Sequence, residues 1–282
     1  MKRPELDWDK VDRIIENALG EDVGAGDVTT DTICPIDSVS TAEIRAKEKG
    51  VIAGGPIAER VFKRLSPKAR ITLTKEDGVR VMPGDVIFQI EAPTRAILTG
   101  ERLALNILQR LSGIATETSK YVAECEGHKA KILDTRKTAP GLRVLDKYAV
   151  SAGGGQNHRI GLYDGVLIKD NHIASAGSIA KAVLAVRQKH GDQFKIEVET
   201  SDLTEVREAL DSGADIIMLD NMTTQDMREA VSVINGKALV EASGGVKLET
   251  VRGIAETGVD YISVGSVTHS AKALDIALYL VY

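Results

Sequence analysis

FKIEVETSDLTEVREALDSGADIIMLDNMTTQDMREAVSVINGKALVEASGGVKLETVRGIAETGVDYISVGS, residues 194–266, decides the fold. Four short apolar runs rich in β-branched residues, FKIEVET, DIIMLD, ALVEAS and DYISVG, begin at 194, 215, 238 and 260, and helix-compatible segments separate them. The intervals of 21, 23 and 22 residues are the length of a minimal βα unit, so they predict parallel strands joined by right-handed crossovers. KILDT and GVLIK, further upstream, are runs of the same kind. Six strands after Lys129 are too few for eight full units and predict an incomplete TIM-like (β/α) barrel.

Upstream of the barrel the rhythm is different. Val11, Ile14, Ile15, Ala18 and Leu19 recur at helical spacing behind a capping Asp7 or Asp9, and predict a first amphipathic helix. STAEIRAKEKG, ARITLTKEDG and DVIFQIEAP then alternate as strands, the last after a Met82-Pro83-Gly84-Asp85 turn, with one helix near Pro56 to Leu65. Together these segments form an α+β lobe. From Thr94 to about Glu126 the chain is helix-compatible throughout, and Gly100 and Gly113 predict two or three helices there.

Composition narrows the function. The chain has 282 residues, 43% of them hydrophobic, and a net charge of −5, which suits two lobes with ample buried interior. The acidic balance and the lack of long Lys/Arg runs exclude nucleic acid as the favoured partner. The opening MKRPELDWDK has no apolar stretch behind its basic residues and no apolar run approaches about 18 residues, so the expectation is a cytoplasmic protein with no membrane partner. Cys34 and Cys125 stand far apart, outside any metal-ligand spacing, as reduced structural thiols.

Against that acidic background, Asp134 to His172 carries six Lys/Arg against four Asp, a net +2, which leaves −7 for the rest of a −5 chain. Cations gathered in an acidic protein, beside the glycine triplet 153–155 and with His158 and His172, predict a pocket for an anionic small molecule. The strand ends agree. Arg136 and Lys137 follow KILDT, Lys169 follows GVLI, Glu199 and Asp220 end the next two strands, and Ser243-Gly244-Gly245 and Gly265-Ser266 end the last two. In such barrels chemistry sits at the C-terminal strand ends. Glycine turns leading into helices suit phosphate, and two carboxylates beside them suit Mg²⁺, whose coordination is completed by substrate and water. Singly, each feature has a plainer explanation: glycines as turns, carboxylates as helix caps, and Arg102 as a solvated helix residue. Lys137 or Lys169 could equally serve as a Schiff-base lysine.

The motifs EDVGAGDVTTD, ERLALNILQRLSGIAT, DTRKTAPGLRVLDKYAV, GGGQNHRIGLYDGVLIKDNH, IEVET, MLDN, EASGG and ISVGS, in this order along both lobes, closely resemble those of the quinolinate phosphoribosyltransferases. The resemblance implies an N-terminal open-faced α/β sandwich lobe at 1–112, completed by the C-terminal helix, and an incomplete barrel at 113–282. It implies phosphoribosyl transfer from phosphoribosyl pyrophosphate to quinolinate with decarboxylation, in NAD biosynthesis. Quinolinate would be bound by Arg102, Arg136, Lys137, His158, Arg159 and Lys169. The phosphoribosyl pyrophosphate would be bound by Glu199, Asp220, Ser243, Gly244, Gly245, Gly265 and Ser266. Lys137, Lys169, Glu199 and Asp220 would be catalytic, with Lys169 or His158 supplying the proton that replaces CO2. Mg²⁺ would lie near Glu199 and Asp220, through water and substrate. The expected assembly is a homodimer, with Arg102 crossing to the partner's site and a hexamer left open. Two other readings use the same fold, a molybdenum-transport-associated paralogue and a catalytically silent phosphate-binding protein.

Overall fold

The structure, a computed structural model, describes residues 6–281. Residues 1–5 and 282, the outermost ends of the two expected domains, lie outside the described residues.

The chain begins with helices α1 (Trp8–Asp22) and α2 (Val28–Ile33), strands β1 (Val39–Ala46) and β2 (Gly50–Val51), and helix α3 (Gly55–Leu65). Strands β3 (Arg70–Leu73), β4 (Arg80–Val81) and β5 (Val86–Pro93) lead into helix α4 (Thr94–Glu124). Next come β6 (Lys131–Leu133), α5 (Arg143–Ala152), β7 (Val166–Ile168), α6 (Asp170–Ala176) and α7 (Ile179–His190). Regular alternation follows, through β8 (Ile196–Thr200), α8 (Leu203–Asp211), β9 (Ile216–Asp220), α9 (Thr224–Ile234), β10 (Leu239–Ser243), α10 (Leu248–Ala255) and β11 (Tyr261–Ser263). The last elements are α11 (Ser266–His269) and β12 (Ile276–Val281).

By compactness the chain divides into two units, each drawn from more than one stretch of the sequence. One comprises Met1–Ser119, Thr138–Gly154 and Ser266–Tyr282, the other Lys120–Lys137 and Gly155–Gly265. Residues 138–154, counted in the sequence as part of the cationic stretch, therefore fold with the first unit.

In the first unit, Asp7 caps α1 by accepting from the Lys10 amide, while Val11 and Ile15 point inward as the helical spacing requires. An antiparallel sheet in the order β12-β1-β5-β3 forms the body, and in β1 Ala42, Ile44 and Ala46 are buried on alternate positions. Helix α3 buries Ile57, Ala58, Val61 and Phe62 on one face. It has no N-terminal side-chain cap of its own. Buried Asp77 serves instead, accepting from the Gly54 and Gly55 amides at 2.8 and 2.9 Å and from the Tyr148 hydroxyl at 2.7 Å.

Two expectations are corrected here. The two or three helices expected from Thr94 onward are one, the 31-residue α4. Gly100 and Gly113 do not break it, because they serve close packing. A Cβ at Gly100 would lie 2.8 Å from Leu65 Cδ1, and one at Gly113 would overlap the Lys272 carbonyl oxygen. The expected C-terminal helix is instead strand β12, paired antiparallel with β1 from Ala46↔Ile276 to Thr41↔Val281. Six residues make less than two helical turns, whereas pairing with β1 satisfies a row of backbone groups on both strands.

Gly113→Ala is expected to destabilise the first unit by about 1–3 kcal/mol, since the obstacle is a carbonyl held by backbone rather than a flexible side chain. Thermal unfolding reads this; a midpoint equal to the parent's would mean that the 272–273 segment gives way freely.

The second unit has six parallel strands in the order β6-β11-β10-β9-β8-β7. Among the described residues β6 and β7 are not paired with each other, so the barrel is incomplete, as the strand count predicted. Val198, Ile217, Leu219, Ala242 and Ile262, on one face of the strands, are fully buried. The opposite face carries the polar residues discussed next. Of the two cysteines, Cys125 is buried and its thiol is pushed up to about 11 by that burial, as befits an inert structural residue. No helix among the described residues is long and apolar enough to cross a membrane.

Candidate active site

Strand register decides which side chains share a face. Glu199 lies opposite Met218, Met218 opposite Glu241, and Glu241 opposite Tyr261; Asp220 lies opposite Ser243. Because side chains alternate along a strand, Glu197, Glu199, Met218, Asp220, Glu241 and Ser243 all point to the same side. Glu199, Asp220 and Ser243 are at the C-terminal ends, with Glu197 and Glu241 one layer deeper.

At the rim, Lys169 Nζ donates to Glu199 Oε2 at 2.5 Å. Lys169 is also the N-cap of α6, where its amide donates to His172 Nδ1 at 3.0 Å, so His172 of the IKDNH motif fixes the backbone that presents the lysine. On the next strand, Asp220 Oδ2 accepts from Asn221 Nδ2 at 2.8 Å. Asn221 adopts a positive φ of 55°, and its amide donates to the Ser243 carbonyl at 2.9 Å. Its side chain fills the space where a Cβ on Gly244 would stand, and Gly244 itself has φ 88°. Gly244 is thus required twice, by conformation and by the close approach of Asn221. MLDN and EASGG, separate motifs in the sequence, are here one structural unit.

The cationic side is built on Asp134. This residue is fully buried and accepts from the His158 amide at 2.8 Å and from Asn157 Nδ2 at 2.6 Å. It thereby ties the exposed Arg136 and Lys137, just past β6, to the loop bearing Arg159. Arg159 Nη1 donates to the Gly165 carbonyl at 3.0 Å, while its buried Nε has no partner. Burial, and then the neighbouring charge of Arg136, lower the Arg159 pKa from its ordinary value. The repulsion between the half-buried Arg159 and the exposed Arg136 would be relieved by a bound anion.

His158 does not present its ring to this rim. Nε2 lies 2.8 Å from Glu197 Oε2 and 3.8 Å from Glu241 Oε2, and Nδ1 accepts from the Arg159 amide at 2.8 Å. Glu197 and Glu241 are 4% and 1% exposed. Burial, then the charge of Glu197, pushes the Glu241 carboxyl well above the usual carboxylate range. Beside this group is a cavity of about 250 Å³, lined by His158, Arg159, Glu197, Glu241, Tyr261 and Lys195 among others. Tyr261 is the first residue of its strand and Lys195 precedes β8, so the cavity extends toward the N-terminal strand ends, away from Glu199 and Asp220.

Of the expected residues, the second unit holds Arg136, Lys137, His158, Arg159, Lys169, Glu199, Asp220, Ser243, Gly244, Gly245 and Gly265. Arg102, exposed within α4, and Ser266, the first residue of α11, belong to the first unit. Sequence reasoning did not single out Asp134, Asn221, Glu197 or Glu241 as site residues. For Glu197 the alternation IEVET, with carboxylates at 197 and 199, was the available signal.

The family model described as quinolinate phosphoribosyl transferase, N-terminal domain, matches residues 27–112, and that of the C-terminal domain matches residues 114–279. This chain belongs to the quinolinate phosphoribosyltransferase family. It is 46% identical over 266 residues to the probable nicotinate-nucleotide pyrophosphorylase (carboxylating) of Bacillus subtilis strain 168, covering 94% of this chain and 92% of that one. It is equally 46% identical, over 284 residues, to quinolinate phosphoribosyltransferase (decarboxylating) 1b of Nicotiana tabacum, covering 94% of this chain and 81% of the relative. The solved nicotinate-nucleotide pyrophosphorylase of Francisella tularensis superposes with a TM-score of 0.93 at 40% identity, over 100% of this chain and 99% of that one.

Proposed function

We propose that this chain transfers the phosphoribosyl group of phosphoribosyl pyrophosphate to quinolinate with loss of CO2, giving nicotinate mononucleotide and pyrophosphate. What carries the reading is the family match across both lobes, together with relatives of near-full length named for this activity. That match disfavours the molybdenum-transport-associated and silent phosphate-binding readings.

Quinolinate is a dicarboxylate, and Arg136, Lys137 and Arg159 supply the guanidinium forks and compact charge that hold carboxylates. Arg102 would complete this set from the partner in a homodimer. The pyridine nitrogen attacks C1 of the ribose, forming the N–C1 bond as the C1–O bond to pyrophosphate breaks. Positive charge develops on the sugar, and the carboxylates of Glu199 and Asp220 stabilise it. Ser243, Gly244, Gly245, Gly265 and Ser266 receive the 5′-phosphate on backbone amides. In the ribosylated product the ring nitrogen is cationic. The 2-carboxylate therefore leaves as CO2, its electron pair passes to the ring carbon, and that carbon takes a proton from Lys169. A nucleophilic or Schiff-base side chain has no place in this sequence. Glu199 and Asp220 are half-buried oxygen donors, a set that suits Mg²⁺ bound partly through water and substrate. When bound, the ion neutralises pyrophosphate charge.

In a turnover assay with phosphoribosyl pyrophosphate and Mg²⁺, quinolinate is expected to yield nicotinate mononucleotide, while nicotinate, which lacks the second carboxylate, yields none. Equal turnover of the two substrates would refute the dicarboxylate site.

A further inference from the structure

Two glutamates sit inside the barrel where burying a carboxylate costs several kcal/mol unless it is well partnered. Neither belongs to the rim that meets substrate, and they converge on one group, Nε2 of His158, at 2.8 and 3.8 Å. Ser263 Oγ donates to the far oxygen of Glu241 at 2.5 Å and anchors that side chain from a third strand. Burial, then the charge of Glu197, raises the pKa of the Glu241 carboxyl, which disfavours two bare charges side by side.

The other ring nitrogen settles the tautomer. Nδ1 accepts from the Arg159 amide at 2.8 Å and therefore carries a lone pair, which leaves the proton on Nε2, pointing at Glu197. The three side chains have the composition of a metal site, with ligand atoms within 4.8 Å of one another. A metal on Nε2 would send that proton to Nδ1, where it would face the Arg159 N–H donor to donor. The backbone geometry is thus wrong for a cation and right for a hydrogen-bond relay.

The relay ends at a substrate residue. The His158 ring holds the Arg159 amide, Asp134 holds the His158 amide, and Asn157 is tied to the same aspartate. The backbone on both sides of the His158 Cα, which leads into Arg159, is thereby fixed before any anion arrives. We infer that Glu197 and Glu241 are positioning residues that, through the Nε2–H tautomer of His158, orient Arg159 to receive a carboxylate of quinolinate. This rests on the function proposed above.

The test joins kinetics with a spectroscopic readout. Glu197→Leu, which removes the acceptor, is expected to raise KM for quinolinate about tenfold or more while moving KM for phosphoribosyl pyrophosphate and kcat much less. Glu197→Gln, which keeps an acceptor oxygen, is expected to restore most of the loss. In the unsubstituted protein, ¹⁵N imidazole shifts, assigned to His158 by their loss in His158→Asn, should report a protonated Nε2 and an unprotonated Nδ1, unchanged by added Zn²⁺ or Mg²⁺. A folded Glu197→Leu enzyme with the parent KM for quinolinate would overturn the inference. So would equal changes in both KM values, a protonated Nδ1, or a metal-induced shift of the His158 signals. If Glu197→Leu does not fold, the ¹⁵N measurement decides alone. Lack of turnover in the unsubstituted protein would instead sink the proposed function and leave the tautomer measurement standing.

Discussion

Glu199→Gln is expected to lower kcat about 10²- to 10³-fold, with KM for quinolinate close to that of the parent. The substitution keeps shape and hydrogen bonding capacity at the end of β8 but removes the negative charge that the proposed mechanism sets opposite the developing sugar cation. That charge matters more in the transition state than in the ground state, so the loss falls on turnover. Lys169 Nζ, 2.5 Å from Glu199 Oε2, loses its anionic partner in the same step, which adds to the effect. Steady-state kinetics with both substrates varied gives the answer. A kcat within threefold of the parent would remove Glu199 from the chemical step.

Arg110→Ala is expected to destabilise the first unit by about 3–5 kcal/mol. Arg110 Nε and Nη2 donate to both oxygens of Asp146 at 2.9 and 2.8 Å, a bidentate pair joining α4 to α5. Asp146 is 0% exposed and also accepts from the Ala139 amide at 3.0 Å. Truncating the arginine leaves a buried carboxylate with one neutral donor, whereas Arg110 itself is partly exposed and could be spared if Asp146 were neutral. Urea unfolding followed on the first unit's transition measures the loss. A change below about 1 kcal/mol would show that Asp146 does not depend on this partner.

The barrel was legible because its strands repeat at nearly equal intervals and their apolar content survives in any reading frame. The strand-end residues Lys169, Glu199, Asp220 and Ser243 followed from it, since parallel strands place all their C-terminal ends together. What escaped depended on tertiary contact. Gly100 and Gly113 look like helix breaks until Leu65 and the Lys272 carbonyl are seen against them. The C-terminal IALYLV is apolar enough for helix or strand, and only the unpaired edge of β1 selects the strand. Asp146 and Lys147 counted toward a cationic pocket, yet both are buried in the first unit, because a sequence window cannot show where the chain changes units. Glu197 was hidden for a related reason. Glu197 and Glu199 look alike in IEVET, and only depth within the barrel separates a residue that meets His158 from one that meets the rim lysine.

Ribosylation before decarboxylation is the core of the proposed chemistry. With quinolinate labelled in its 2-carboxylate, the release of labelled CO2 should match pyrophosphate one for one and should vanish when phosphoribosyl pyrophosphate is omitted. Labelled CO2 released without phosphoribosyl pyrophosphate would contradict it.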